Sequence, residues 1–344
     1  MSVIVGMSGG VDSAVSALLL KELGENVTGV TLHFSEHSAC CDISSTRRAK
    51  AQCEQLGIPW HSVDMKDTFA CRVVEPFWQA VAGGATPNPC VFCNERIKWQ
   101  GLLEIADEMH ADMIASGHYA GIVHSGNGDQ ICRGTDQAKD QSYFLYRLSA
   151  EQRRRVIFPL AGRIKREVLA FASQWFDPGL LASRESQDLC FVEGSFSENA
   201  RRHLSGTPGD VVLMTGAVVG RHKGLASYTV GQRSGLGISA ASRLYVVEKR
   251  RAENQLVVGP RGACMRGVFE AVDLKWQHIP TSKALHFYAN VVTRYRSKPV
   301  NGCIDRVSED RISVHLTEPL FAVTPGQAVV FYDDRCILGG GTIV

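Results

Sequence analysis

The stretch VIVGMSGGVDSAVSALLLKELGE, residues 3–25, constrains this chain more than any other. Val3, Ile4 and Val5 are β-branched and suit a strand. The run breaks at Ser8-Gly9-Gly10 and resumes as a helical stretch. The alternation then repeats: NVTGVTLHF reads as a strand, Asp42 to Leu56 as a helix, WHSV as a short strand, and about Thr68 to Ala82 as a helix. After a proline–cysteine loop, IKWQGLLEIADEMH carries apolar residues at helical spacing, and ADMIASGHYA reads as the next strand. Strands alternating with such helices predict βαβ units and a parallel sheet. Ligands of these sheets gather at the carboxyl ends of the strands, where SGGVDS, the residues after TLHF, and SGHY all fall.

Near residue 205 the pattern changes. AVVGRH, LYVVEK, QLVVGP, HFYANVVTRYR, CIDRVS, RISVHL, AVVFYD and CILGGGTIV are short β-rich runs parted by turn residues. They predict small β domains or a barrel. The expected division is 1–204, 205–264 and 265–344. With 344 residues, 44% hydrophobic and 21% charged, the chain has an ordinary globular composition and room for two or three domains. No apolar run approaches the ~20 residues of a membrane span. The N-terminus reads as a strand and not as a leader, which predicts a cytoplasmic protein. A net charge of +2 does not by itself announce a nucleic-acid binder. The basic clusters Arg153–Arg155, Arg201–Arg202 and Lys249–Arg251 read as solvated faces.

SGGVDS carries chemistry of its own. Two glycines bring backbone N–H groups close to an anion, and the helix N-terminus that follows adds its dipole. Ser8 and Ser13 offer hydroxyls, and Asp12 a carboxylate for Mg²⁺. Without GKS or GKT this is not a Walker loop. The strand–SGGVDS–helix arrangement resembles the PP-loop of ATP pyrophosphatases. That resemblance implies transfer of AMP from ATP to a substrate oxygen, with pyrophosphate leaving, before a nucleophile displaces AMP. Nitrogen and sulfur nucleophiles both fit, so an adenylating ligase or amidotransferase is one reading and a sulfurtransferase another. A noncatalytic RNA-binding protein on the same scaffold is a third, disfavoured by the intact loop.

The cysteines discriminate. TPNPCVFCN holds Cys90 and Cys93, and ESQDLCFV holds Cys190. By spacing alone, Cys90–Cys93 suits a metal site, a redox pair or sulfur handling. In a reducing compartment, eleven scattered cysteines are more readily catalytic, metal-bound or buried than disulfide-linked. Cys40 and Cys41 are adjacent, which disfavours a bond between them. Cys53, Cys71, Cys132, Cys264, Cys303 and Cys336 read as packing residues. Together with SGGVDS, SGHYA (116–120), KDQSYFL (139–145) and GLASYTVGQRSGLGI (224–238), these motifs resemble the tRNA-specific 2-thiouridylase family (MnmA/TrmU). The resemblance runs from Val3 to the terminal LGGGTIV.

It implies an α/β parallel-sheet PP-loop domain of the adenine nucleotide alpha hydrolase type, a small central mostly-β domain and a C-terminal β-barrel. It also implies ATP- and Mg²⁺-dependent replacement of the wobble uridine C2 oxygen by sulfur. The partners would be tRNA and an upstream sulfur donor, a cysteine desulfurase or a relay protein. Gly6, Met7, Ser8, Gly9, Gly10, Val11, Asp12 and Ser13 would bind ATP, with Leu32 and Gly117 beside the adenine. Cys93 would be the nucleophile and Cys190 the persulfide carrier. Asn88, Pro89 and Cys90 would lie against the target base. His118, Lys139, Asp140, Gln141, Arg294, Tyr295 and Gln327 would meet tRNA.

Many family members carry Asp at the Cys90 position and others carry Cys, so an acid–base role does not transfer here. Cys90, Cys93 and Cys190 then form a three-thiolate set. It suits either a 4Fe–4S cluster with one open iron or a persulfide relay. In TRYRSKPV, Arg294, Arg296 and Lys298 alternate as on one face of a strand, with Tyr295 opposite, a pattern suited to phosphate contacts.

Overall fold

The computed structural model describes the chain apart from residues 35–42, 126–127, 182–188, 193, 205, 241 and 279–285. Cys40, Cys41 and the ESQD segment before Cys190 thus lie outside the described residues. The N-terminal half carries β1 (Ser2–Gly6), β2 (Asn26–His33), β3 (Trp60–Asp64), β4 (Met113–Ala115), β5 (Ala120–Ser125), β6 (Gly128–Arg133) and β7 (Val156–Ile157). Five of them form a parallel sheet in the order β3-β2-β1-β4-β7. The unbroken apolar run of β1 follows from burial on both faces. Val3 and Val5 enter a core with α1 (Val11–Glu22), α2 (Ile43–Leu56) and the helix Lys165–Trp175. Ile4 points the other way, to Trp99, Leu102 and Leu103.

The expected proline–cysteine loop is helical from Pro89. Pro89–Cys93 forms one helical turn, Asn94–Lys98 a π-type turn, and Trp99–Glu108 continues as α-helix. Proline at the helix start sacrifices no bonded N–H, so it opens the helix as readily as it closes a loop. A π turn widens a helix locally and is often found beside functional groups. This one begins immediately after Cys93.

ADMIASGHYA is not one strand. Only Met113–Ala115 joins the parallel sheet. Ser116–Tyr119 is loop, and Ala120 starts the β5–β6 hairpin, which leaves for another sheet.

Four further strands, β8 (Gly209–Leu213), β9 (Val218–His222), β10 (Tyr245–Arg250) and β11 (Gln255–Gly259), make a small sheet in the order β10-β11-β8-β9. The C-terminal strands are β12 (Met265–Trp276), β13 (His286–Val292), β14 (Val300–Ser308), β15 (Arg311–Phe321), β16 (Ala328–Asp333) and β17 (Cys336–Ile343). The order β12-β15-β14-β13-β16-β17, closed by a β12–β17 pairing, is a barrel. The β5–β6 hairpin extends it beyond β17, with Cys132 paired in register to Cys336.

That pairing corrects the reading of these two cysteines as packing residues, because they are joined by a disulfide. Two other expectations also change. Thr293–Pro299 is a turn and not a strand, so Arg294 and Arg296 do not share a strand face. Nor is the Arg153–Arg155 cluster a solvated face. Arg153 is buried and donates to the Asp129 and Leu148 carbonyls, while Arg155 pairs with Asp107. No helix among the described residues is long and apolar enough to cross a membrane.

Candidate active site

The loop after β1 is braced from within. The buried Ser13 hydroxyl accepts from the Ser8 N–H at 3.2 Å and donates to the Gly10 carbonyl at 2.9 Å. Ser8 Oγ in turn accepts from the Gly10 N–H at 3.3 Å. Ser13 therefore shapes the loop, and the exposed Ser8 is its outward hydroxyl. Gly9 adopts φ +73°, and a Cβ there would lie 2.1 Å from the Ser45 carbonyl oxygen. Glycine is required on both counts. α1 begins at Val11 with Gly10 as N-cap and no side-chain cap, which leaves its first turn to face an anion. Met7 is tied to β2, its N–H donating to Val30 and its carbonyl accepting from Thr31.

Asp12 is held on two sides. Lys165 Nζ lies 2.7 Å from both carboxylate oxygens, and the Tyr119 hydroxyl donates to one of them at 2.9 Å. Lys165 escaped the sequence reading. It opens the helix Lys165–Trp175, where the dipole disfavours a cation, and that misfit is the signal that marks it. Gly117 packs so closely that a Cβ would meet the Asp12 carbonyl carbon and the Ser13 nitrogen at 2.7 Å. Leu32 is buried in the cluster that contains Leu102, whose Cδ1 would lie 3.2 Å from a Cβ on Gly6. Gly117 thus lies directly against residues 12–13 of the loop, and Leu32 lies in the cluster beside Gly6.

Cys93 belongs to that same cluster and is only 6% exposed. Cys190 and Phe191 pack against it, and Phe191 meets Phe69 and Phe77 edge-on at 5.9 and 5.1 Å. Cys90 stands one helical turn before Cys93 and is half-buried. Asn94 donates to the Cys90 carbonyl at 3.0 Å, and its buried Oδ1 has no partner among the described residues. Cys93, Cys190 and the open acceptor thus belong to the Ile4 face of the sheet, while Met7 and Val11 of the loop pack on the opposite face, at the carboxyl end of β1.

Family models match along nearly the whole chain. They are described as a tRNA methyl transferase HUP domain for residues 1–194, a tRNA methyl transferase PRC-barrel domain for 199–260 and an aminomethyltransferase beta-barrel domain for 267–343. The tRNA-specific 2-thiouridylase MnmA of Geobacter metallireducens is 40% identical over 357 residues, covering 99% of this chain and 96% of that protein. The chain belongs to the MnmA family. The protein of that name from Chloroflexus aurantiacus is 40% identical over 355 residues, covering 99% of this chain and 98% of its own. Among solved structures, a U34-tRNA thiolase NcsA from Methanococcus maripaludis with its [4Fe-4S] cluster is 21% identical over 59% of this chain and 64% of that one. Its TM-score of 0.37 is too low to bear on the site. Two of the family-model descriptions speak of methyl transfer and the relatives' names of thiolation. A pyrophosphate-type loop and paired cysteines in one domain have a use in the second chemistry and none evident in the first.

The positions expected to meet tRNA in an MnmA protein divide into two groups. Arg294, Gln327 and Thr86 line a cavity of about 450 Å³ together with Thr229–Gln232 and Thr324. Gln327 donates to the Thr86 carbonyl at 2.6 Å, and Arg294 donates to Ala322 and Thr324. Tyr295 lies against Phe144 at 4.5 Å between centroids. Asn88 lies beside the buried Tyr143 hydroxyl, which donates to the Ala328 carbonyl at 2.8 Å.

The other group lies on residues 116–141, where several members are tied to the backbone. Asp140, expected to meet tRNA, is 8% exposed and accepts from the Gly134 and Ser142 N–H groups and the Ser142 hydroxyl. Burial raises its carboxyl above the ordinary range. Gln141 exchanges hydrogen bonds with the Tyr119 backbone. His118 stands 2.6 Å from Ser116 Oγ beside Trp99, and burial, aided by Lys98, holds its imidazole neutral at pH 7. Lys139 is half-buried and closes a turn, its N–H donating to the Asp136 carbonyl at 3.0 Å. Arg147 was not foreseen from the sequence. Nearly buried, it links Glu95 at 2.8 Å to Asp273 at 2.9 Å, and so fixes the cysteine-bearing helix to the barrel.

Proposed function

We propose that the chain replaces the C2 oxygen of a tRNA wobble uridine with sulfur at the expense of ATP. The observation that carries this reading is the packing of Cys93 and Cys190 on one apolar cluster, whose Leu102 lies beside Gly6 where β1 ends and the nucleotide loop begins. The C2 oxygen attacks the α-phosphorus of ATP, and pyrophosphate leaves over residues 8–13. ATP brings Mg²⁺, for which Asp12 is the carboxylate at hand once Lys165 turns to the phosphates. The terminal sulfur of a Cys190 persulfide then attacks C2, and the C2–O bond breaks with its electron pair leaving on AMP. A Cys190–S–S–C2 link remains. The Cys93 thiolate attacks Cys190 Sγ, the old S–S bond breaks, and its electron pair stays on the sulfur now attached to C2. The products are 2-thiouridine, AMP and a Cys93–Cys190 disulfide. A cellular dithiol reopens that bond, and an upstream sulfur donor recharges Cys190.

The base must leave its stack to reach buried thiols, which a loop nucleotide does at low cost. Asn88, Pro89 and Cys90 flank its path in this reading. Arg294, Tyr295 and Gln327 receive the tRNA, with His118, Lys139 and Gln141 at the opposite rim. The units 1–204, 205–264 and 265–344 then act together around one substrate in the cytoplasm.

One observation favours a second source of sulfur. Cys90 and Cys93 stand one helical turn apart and, with Cys190, supply three thiolates. Those residues would hold a 4Fe–4S cluster, whose open iron would supply bound sulfide.

Loss of 2-thiouridine from cells lacking the protein, read by nucleoside mass spectrometry, tests the function. Unchanged levels overturn it. Cys93→Ser tests the sulfur route: the relay leaves tRNA joined to Cys190 and releasable by thiol. No adduct, with iron and acid-labile sulfide in oxygen-free preparations, replaces the relay by the cluster.

A further inference from the structure

The outer face of the barrel carries a second set of soft donors, far from the cysteines above in sequence and independent of the proposed function. In the antiparallel ladders, His286 pairs with Asp305, and Asp305 with Ser313. One step along, Tyr288 pairs with Cys303, and Cys303 with His315. Directly paired residues, and residues two apart on a strand, share a face. His286, Cys303, Asp305 and His315 therefore stand together across β13, β14 and β15. Ile304 and Val314, the residues between, are fully buried and mark the opposite, inner face.

The side chains converge as the backbone places them. His286 Nδ1 is 2.7 Å from Asp305 Oδ1 and 3.3 Å from Cys303 Sγ. Cys303 Sγ is 3.8 Å from each Asp305 oxygen. Imidazole nitrogen, thiol sulfur and carboxylate oxygen all lie within 4.8 Å of one another, the only such triplet of potential ligands among the described residues. His315 Nε2 approaches the second Asp305 oxygen at 3.6 Å.

We propose that His286, Cys303, Asp305 and His315 form a four-coordinate site for zinc or a similar thiophilic divalent cation. Zinc binds His at about 2.0–2.1 Å, carboxylate at about 2.0–2.2 Å and Cys at about 2.3 Å, so neighbouring donors in a tetrahedron sit roughly 3.3–3.7 Å apart. The sulfur–nitrogen distance already falls at that spacing, the sulfur–oxygen distances lie just outside it, and the nitrogen–oxygen pair must open slightly. A set of two imidazoles, one thiolate and one carboxylate selects a borderline-soft ion over Mg²⁺ or Ca²⁺, which prefer oxygen alone. Binding would release the Cys303 proton and tie three strands together at a point where only hydrogen bonds now join them.

Cobalt(II) reports such a site directly. The full-length protein, freed of metal by chelator, is titrated with Co²⁺ and read by thiolate-to-cobalt charge transfer and by the visible bands of tetrahedral cobalt. One equivalent should bind, and one equivalent of Zn²⁺ should displace it. A variant with Cys90, Cys93 and Cys190 all changed to Ser should give the same signal. Cys303→Ser should abolish the charge-transfer band. His286→Gln and His315→Gln should each weaken binding by more than about 100-fold, the upper end of losses from groups that merely support a ligand. Far-ultraviolet circular dichroism confirms that each exposed-face variant is folded. A charge-transfer band that survives Cys303→Ser, that vanishes with the triple variant, or that never appears in the folded wild type overturns the proposal.

Discussion

Lys165 Nζ sits 2.7 Å from both carboxylate oxygens of Asp12, across 153 residues of sequence. The contact places a positive charge at the edge of the nucleotide loop, where the charge of a leaving pyrophosphate would grow. Lys165→Met should lower tRNA-dependent pyrophosphate release by about 10²-fold, the usual loss when one preorganised charge is removed. Its melting temperature should change little. An unaltered rate would confine Lys165 to holding Asp12.

Gly9→Ala tests the loop's geometry. The new Cβ would lie 2.1 Å from Ser45 O in a φ +73° conformation. Overpacking of this kind costs roughly 1–3 kcal/mol. ATP binding measured by calorimetry should fall with stability. Gly162→Ala is the control, since a Cβ at Gly162 meets nothing within 4 Å.

Asp140 gives a pH dependence with a definite sign. Burial raises its folded-state carboxyl above the ordinary aspartate value. The folded protein therefore holds a proton that the unfolded chain has lost, between those two values. Stability should fall as pH rises through that window. Asp140→Asn should flatten this part of the melting-temperature profile and leave tRNA affinity unchanged. Reduced affinity in a fully folded variant would return Asp140 to the RNA surface.

The Cys132–Cys336 bond closes a separation of 204 residues. Serine at both positions should lower stability by about 2–4 kcal/mol in oxidising buffer. With a strong dithiol present, variant and wild type should unfold nearly together. A difference that persists in dithiol would come from packing and not from the bond.

How far all this was readable depends on distance along the chain. The nucleotide loop is contiguous, so its strand, its glycines and its helix announce themselves within residues 3–22. Cys90 and Cys93 were legible as a motif. Their helix was not, because Pro89 serves equally to open a helix or shape a loop. Lys165, Arg147 and the Cys132–Cys336 bond depend on partners more than 50 residues away, beyond any local pattern. The burial of Asp140 was hidden for a related reason. A polar residue in a turn looks exposed until the backbone groups it must satisfy are known.

The β5–β6 hairpin also has a consequence for how the protein is made. Its partner strand leaves the ribosome about 200 residues later, which at ~5–20 residues per second is roughly 10–40 s of synthesis. Throughout that interval β6 presents an unmatched edge, the kind of surface that invites chaperones or other nascent chains. A message cut short before β17 would never hide it. The hairpin thus works as a mark of incompleteness, erased only when the last strand arrives.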